Sequence, residues 1–113
     1  LKTIIAGCRN VCDPFFVKDA IRLSGFEITE VVSGACRGVD RMGELWAQEN
    51  GIPVHQFPPD WDKFGRSAGP IRNTAMAEYA DALIALWDNK SKGTKNMIDT
   101  ARRLGLSVSV YYV

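Results

Sequence analysis

Strand-like and helix-like segments alternate along the whole chain, and that alternation constrains the fold more than any other feature. "KTIIA" (2–6) is a β-branched run closed by Gly7. Asp13-Pro14 then opens a helix, because Asp caps well and Pro enters the first turn with φ already set. Phe16, Val17, Ala20, Ile21 and Ser24 follow at helical spacing, and Gly25 stops them. "EVVS" (30–33) is the second strand. Val39, Met42, Trp46 and Ala47 repeat with a helical period and predict a helix ending at Asn50-Gly51. "IPVHQF" (52–57) is the third strand, and "PPDWDKFGRSAG" (58–69) is a polar and aromatic loop. Gly69-Pro70 opens a third helix with Ile71, Ala75, Met76 and Tyr79 on one face. "ALIALW" (82–87) is apolar throughout, as a central strand covered on both faces must be. After the turn "DNKSKG" (88–93), a fourth helix carries Met97, Ile98, Ala101 and Leu104 and stops at Gly105. "SVSVYYV" (107–113) is the fifth strand.

The order β-α-β-α-β-α-β-α-β with short connections predicts one α/β domain over residues 1–113. It is a Rossmann-like, five-stranded parallel sheet with helices on both faces. Strand order 3-2-1-4-5 is expected, although periodicity alone does not separate it from 2-1-3-4-5. A chain of 113 residues, 46% hydrophobic and 24% charged, supports a single packed core. With 14 basic and 13 acidic residues the formal net charge is +1. That balance excludes an extended nucleic-acid or membrane surface but leaves room for a small basic pocket. The longest apolar runs are too short to span a bilayer, and no stretch reads as a secretory signal. The three cysteines, Cys8, Cys12 and Cys36, have no framework spacing, so reduced thiols and a cytoplasmic location are expected. Cys8 and Cys12 are four apart but lack a nearby Cys/His pair, and no metal site is expected.

In an open α/β sheet the ligand crevice lies at the carboxyl ends of the strands, beside the switch in strand order. The residues that follow the strands are therefore the informative ones. Gly7, Cys8, Arg9 and Asn10 follow the first strand. Gly34, Ala35, Cys36, Arg37, Gly38 and Asp40 follow the second. The Trp61 loop with Lys63 and Arg66, then Arg72-Asn73, follows the third. Asp88, Lys90, Ser91, Lys92, Gly93, Thr94 and Lys95 follow the fourth. Arg9, Arg37, Lys63, Arg66, Arg72, Lys90, Lys92 and Lys95 thus gather at one pole, which suits an anionic small ligand. Glycines admit its approach, helix N-termini offer free N–H groups, and Arg supplies a two-pronged donor. No dinucleotide fingerprint or Walker loop is present. Simpler readings exist for several of these residues. Gly34 and Gly38 also suit a tight strand-to-helix turn, Asp40 a helix start, and Ser91 a cap. Trp87 at a strand end reads as core. Arg72, early in a helix, calls for a nearby anion or carboxylate.

The segments "IIAGCR" (4–9), "VVSGACRGVDRMGELWA" (31–47), "FPPDWDKFGRSAGPIRNTAMAEYADALIALWD" (57–88) and "KSKGTKNMI" (90–98) resemble the YspA-like members of the SLOG superfamily. The resemblance runs in register over nearly the whole chain, and its specificity lies in the combination of W-x-x-x-G, G-P-x-R-N and S-x-G-T. It implies a Rossmann-like domain with a pocket for a nucleotide or nucleotide-derived ligand. Relatives include sensors of such ligands in phage–bacteria conflict and the LOG phosphoribohydrolases, which cleave a base from a nucleoside monophosphate. The pocket it implies takes Gly7 and Arg9 from the first loop and Gly34, Arg37, Gly38 and Asp40 from the second. Arg72 and Asn73 begin the third helix; Ser91, Gly93 and Thr94 begin the fourth. Cys8 stands where the family has Ser. Met97 stands where LOG enzymes carry a catalytic Glu, and Asp99 falls elsewhere on the helix.

Two readings follow. In the first, the chain is a binding module or sensor for a phosphate-bearing nucleotide derivative. The 34–38 turn, including Ala35, and the last helix N-terminus hold phosphate. Arg37 and Arg72 neutralise it, Asp40 or Asn73 orients the arginines or a ribose hydroxyl, and Trp61 serves as lid or base platform. In the second, the same pocket is an N-glycosidic hydrolase or transferase, with Asp40, Asp60 or Asp88 as the carboxylate that stabilises oxocarbenium charge. No cofactor beyond the nucleotide ligand is implied. A homo-oligomer formed through the terminal strand or a helix face is a third, structural option.

Overall fold

The structure is a computed structural model and describes residues 1–113. Its elements in chain order are β1 (Lys2–Gly7), α1 (Pro14–Ser24), β2 (Glu30–Ser33), α2 (Val39–Glu49), β3 (Val54–Gln56), α3 (Trp61–Phe64), α4 (Ala68–Tyr79), β4 (Ala82–Trp87), α5 (Lys92–Arg103) and β5 (Ser107–Tyr112). A single 3-10 turn, Gly65–Ser67, joins α3 to α4. The sheet is parallel throughout, in the order β3-β2-β1-β4-β5. No helix is long and apolar enough to cross a membrane.

The sheet has helices on both faces, and the alternation of side chains along each strand sorts the core in two. Ile4, Val32, Leu83 and Ala85 point to one face and pack with Met76 of α4 and Met97 and Ala101 of α5. Ile5, Val31, Ile84 and Leu86 point to the other, against Val17 and Ala20 of α1 and Val39 and Ala47 of α2. Every residue from Ala82 to Leu86 is fully buried, which accounts for the unbroken apolar run in that segment. Each large aliphatic side chain hidden there contributes about 1.5–3 kcal/mol. Gly43 lets α2 close onto β1, since a Cβ there would sit 2.9 Å from Ile5 Cγ2.

The boundaries depart from the sequence reading in three places. β3 is shorter than 52–57. Pro53 offers only its carbonyl, which accepts from Val31 N at 2.9 Å, and pairing resumes outside the strand proper with Phe57 N donating to Ser33 O at 2.7 Å. The segment 58–69 is not a plain loop. Asp60 caps α3 by accepting from Lys63 N at 3.0 Å, and the 3-10 turn runs directly into α4. That helix therefore starts at Ala68, ahead of Gly69-Pro70. Pro70 lies in the first turn, where its missing N–H costs nothing. Asp13 and Ser91 cap α1 and α5 through side-chain oxygens.

From β1 the chain proceeds to β2 and β3 on one side, then crosses to β4 and β5 on the other. The helices following β1 and β2 cover one face and those preceding and following β4 cover the opposite face. This divergence leaves a crevice beyond the carboxyl ends of β1 and β4.

Candidate functional site

That crevice is an open cleft of about 620 Å³, within the range of small-molecule sites. Of the residues expected to bind ligand, Gly7, Arg9, Arg37, Asp40, Trp61, Arg72, Asn73, Ser91, Gly93 and Thr94 line it. Gly34, Ala35 and Gly38 do not. The two glycines of the second loop are close-approach positions, but what approaches is the protein itself. Gly38 has φ +80°, and a Cβ there would lie 2.5 Å from Cys8 O and 2.6 Å from the Arg9 backbone. A Cβ on Gly34 would lie 2.5 Å from Arg72 Nη1 and 2.8 Å from Asp40 Oδ2. Ala35 sits between them at φ 61° and is exposed. Its N–H donates to Ser33 Oγ at 3.1 Å. These residues shape the loop and present Cys36 and Arg37 to the cleft.

Arg72 is the most tightly held cation. Its guanidinium donates to Gly34 O, to Phe57 O at 3.4 Å and, through Nε, to Asn73 Oδ1 at 3.0 Å. It thereby ties the ends of β2 and β3 to α4. Those acceptors, with the nearby Asp40 charge, offset the cost of a cation at a helix start. Nη2 reaches only Cys36 Sγ, at 3.9 Å, and keeps its donors for the cleft. Asn73 accepts from Arg72 through Oδ1 and also donates from Nδ2 to Gly93 O at 3.3 Å.

Asp40 is 5% exposed and does not hold Arg37, which is exposed and makes no hydrogen bond within the chain. It accepts from Cys36 N at 3.3 Å instead. Burial pushes its carboxyl up to about 6, against the lowering effects of the Cys36 N–H and the Arg72 charge. Behind it, Glu44 accepts from Ser33 Oγ at 2.6 Å, Gln56 Nε2 at 3.1 Å and Arg41 Nη1 at 3.2 Å, which secures the end of β2. Asp88 is a turn residue. It accepts from Lys90 N at 2.9 Å and Ser91 N at 2.8 Å, and these donors hold its carboxyl below the usual range. Burial raises the Cys8 thiol, which faces Leu86 O at 3.5 Å and has little thiolate character. Asp60 does not line the cleft.

At the other wall, Ser91 Oγ accepts from Thr94 N at 3.4 Å and contacts Thr94 Oγ1 at 3.0 Å. The first N–H groups of a helix have no intrahelical acceptors, which leaves those of Lys92 and Gly93 for other partners. A Cβ on Gly93 would meet nothing within 4 Å. Arg9, Arg37, Arg66, Arg72 and Lys92 all line the cleft against only two carboxylates, Asp40 and Asp88. Lys63, Lys90 and Lys95 lie outside it. Lys95 instead pairs with Asp99 at 2.7 Å on the exposed side of α5. Trp61, 49% exposed, also lines the cleft, its ring 3.8 Å from where a Gly69 Cβ would lie. Trp87 packs with the core and donates from Nε1 to Ser91 O at 3.1 Å, outside the cleft.

The sequence reading did not assign Met76, Asn96 or Met97 to the site, although all three line the cleft. Met76 and Met97 are its buried apolar floor. Asn96 lies one turn beyond Gly93 on the same face of α5, a spacing that could have placed it. No group of three or more His, Cys, Asp or Glu side chains is arranged to hold a metal ion.

The sequence model of the YspA, cpYpsA-related SLOG family matches residues 4–64. The chain belongs to that family. The match runs from β1 through α3 and contains two of the cleft's loops. This SLOG domain also shares its fold with DNA processing protein A (DprA) from Streptococcus pneumoniae, with a TM-score of 0.73 at 18% identity. That alignment covers 96% of the SLOG domain and 49% of the DprA chain, so the domain spans about half the length of that protein. No curated protein matches the chain in sequence. The SLOG membership and the sheet order together make this a nucleotide-related Rossmann-like domain.

Proposed function

We propose that the protein binds a phosphate-bearing nucleotide or nucleotide-derived small molecule in this cleft, as a ligand-binding module or sensor. The observation that carries the reading is the convergence of five cationic side chains on a cleft whose far wall is the open N-terminus of α5. Phosphate seats against the Lys92 and Gly93 N–H groups, where no side chain intervenes. Arg72 contributes its Nη2, engaged only weakly by Cys36 Sγ and fixed in place by the guanidinium's other bonds, and Arg37 and Lys92 contribute mobile charge. Trp61 covers the opening and offers a ring for a base to stack on. A sensor role in phage–bacteria conflict, as in SLOG relatives, is the biological form this reading takes.

The reading as an N-glycosidic hydrolase has weaker support. Asp40 is buried against the Cys36 N–H, Asp88 is occupied by two backbone donors, and the position of the LOG glutamate is held by Met97, 1% exposed.

Calorimetry against AMP, ADP, ADP-ribose and cyclic dinucleotides tests the proposal. At least one should bind, with affinity falling as salt rises. Arg37→Ala should weaken that binding about tenfold and leave the melting temperature unchanged, because the side chain is exposed and unpartnered. No binding by any of them, or undiminished binding by the variant, would refute it.

A further inference from the structure

Two asparagines between α4 and α5 form a chain of hydrogen bonds whose direction is fixed from one end. Arg72 Nε can only donate, and it donates to Asn73 Oδ1 at 3.0 Å. The Gly93 carbonyl can only accept, and it faces Asn73 Nδ2 at 3.3 Å. Both neighbours therefore impose the same orientation on the Asn73 amide, which is 5% exposed and has no room for ambiguity. With its Nδ2 so placed, Asn73 also donates to Asn96 Oδ1 at 3.0 Å. The Asn96 oxygen must turn toward Asn73, and its Nδ2 must turn away. That nitrogen has no acceptor anywhere in the chain, and Asn96 lines the cleft one turn inward from Gly93.

We infer that Asn96 is a specificity-determining residue that offers an amide N–H donor to a hydrogen-bond acceptor of the bound ligand, an offer whose polarity is set by Arg72 through Asn73. The inference rests on the proposed nucleotide reading of the cleft and adds to it a demand on the ligand: an oxygen or nitrogen acceptor beside the phosphate seated at the α5 N-terminus. A group that can only donate at that point meets another donor and is rejected, because neither partner can then be satisfied. The guanidinium thus acts at a distance from its own contacts. Its charge prevents the two amides from turning over, and a freely rotating Asn would accept either polarity.

Calorimetry on wild type, Asn96→Ala and Asn96→Asp with AMP, ADP, ADP-ribose and cyclic dinucleotides, together with thermal melts, tests this. Asn96→Asp keeps an oxygen for Asn73 and so should melt close to wild type, whereas Asn96→Ala deprives Asn73 of a partner and should melt lower. Nucleotide binding should fall about 5–20-fold in Asn96→Ala and at least as far in the better-folded Asn96→Asp. Binding that tracked thermal stability, with Asn96→Asp near wild type, would overturn the inference by showing a purely structural role. So would Asn96→Ala binding within twofold of wild type, and either result would leave the nucleotide reading standing. Wild type that bound none of these nucleotides would overturn both.

Discussion

Gly93→Ala separates folding from binding more sharply than any other change in the cleft. Gly93 is the second residue of α5, has no positive φ, and a Cβ built on it meets no atom within 4 Å. Nothing in the protein needs glycine at that position. Ala is favoured over Gly by about 0.8–1.0 kcal/mol in a helix interior, and roughly half of that is expected so near the terminus. The variant should therefore be about 0.5 kcal/mol more stable than the parent, a rise of about 1–3 °C in melting temperature for a domain of this size. The same methyl group would project into the open space beside the helix end where the phosphate is proposed to seat. It should push a phosphate off its hydrogen bonds and weaken nucleotide binding at least tenfold, about 1.4 kcal/mol. Scanning calorimetry reads the first effect and titration calorimetry the second. Stabilisation with undiminished affinity would mean that the ligand does not use this helix end. A clear loss of stability would mean that the glycine is structural after all.

The other glycines and the buried carboxylate give complementary expectations. Gly38→Ala should cost at least ~2 kcal/mol, because it combines a positive φ with backbone atoms at 2.5–2.6 Å; a urea midpoint equal to the parent's would contradict the second-loop geometry. Asp40 titrates near 6 in the folded chain against 3.8 when unfolded, so the native state binds its proton more tightly. Its contribution is fully present below about pH 4 and is lost as pH rises to about 6, and it amounts to about 3 kcal/mol. Asp40→Asn should flatten that segment of the stability–pH curve, and an unaltered curve would show that Asp40 is not the group responsible.

Much of this was legible in the chain because the relevant signals are local. Alternating apolar periods located every strand and the four long helices, and the dominance of βαβ connections gave the parallel sheet. Placing residues at the carboxyl ends of strands then put Arg9, Arg37, Arg72, Ser91 and Gly93 on the cleft. What was misread has either a weak local signal or depends on long-range packing. α3 was missed because Pro58-Pro59 and Gly65 dominate a segment whose helix is only four residues long and rests on one cap, Asp60. Gly34 and Gly38 were assigned to a ligand because a glycine's need for room is visible in sequence but the intruder's identity is not. Here the intruders are Arg72 and the first loop. Asp40 reads in the sequence as a residue that orients either arginine; the charge beside it is that of Arg72, thirty-two positions away, and Arg37 stands exposed. Asn96 had no motif to announce it, and its amide acquires direction only through partners on another helix.

Two of the stretches of chain that line the cleft do different work. Residues 88–96 build the end with the Asp88 turn, the Ser91 cap and the open Gly93, all through local bonds. Residues 61–66 supply Trp61 and Arg66, ahead of the anchored Arg72. Each is continuous in sequence: 61–66 spans α3 and most of the 3-10 turn ahead of α4, and 88–96 runs from the turn after β4 into α5. The domain is therefore modular with respect to its own selectivity. A gene segment encoding 61–66 could be exchanged by recombination, changing what lies at the opening, while Arg72 and the anion-holding segment stayed intact. One scaffold could in this way be retuned to successive ligands without refolding its sheet.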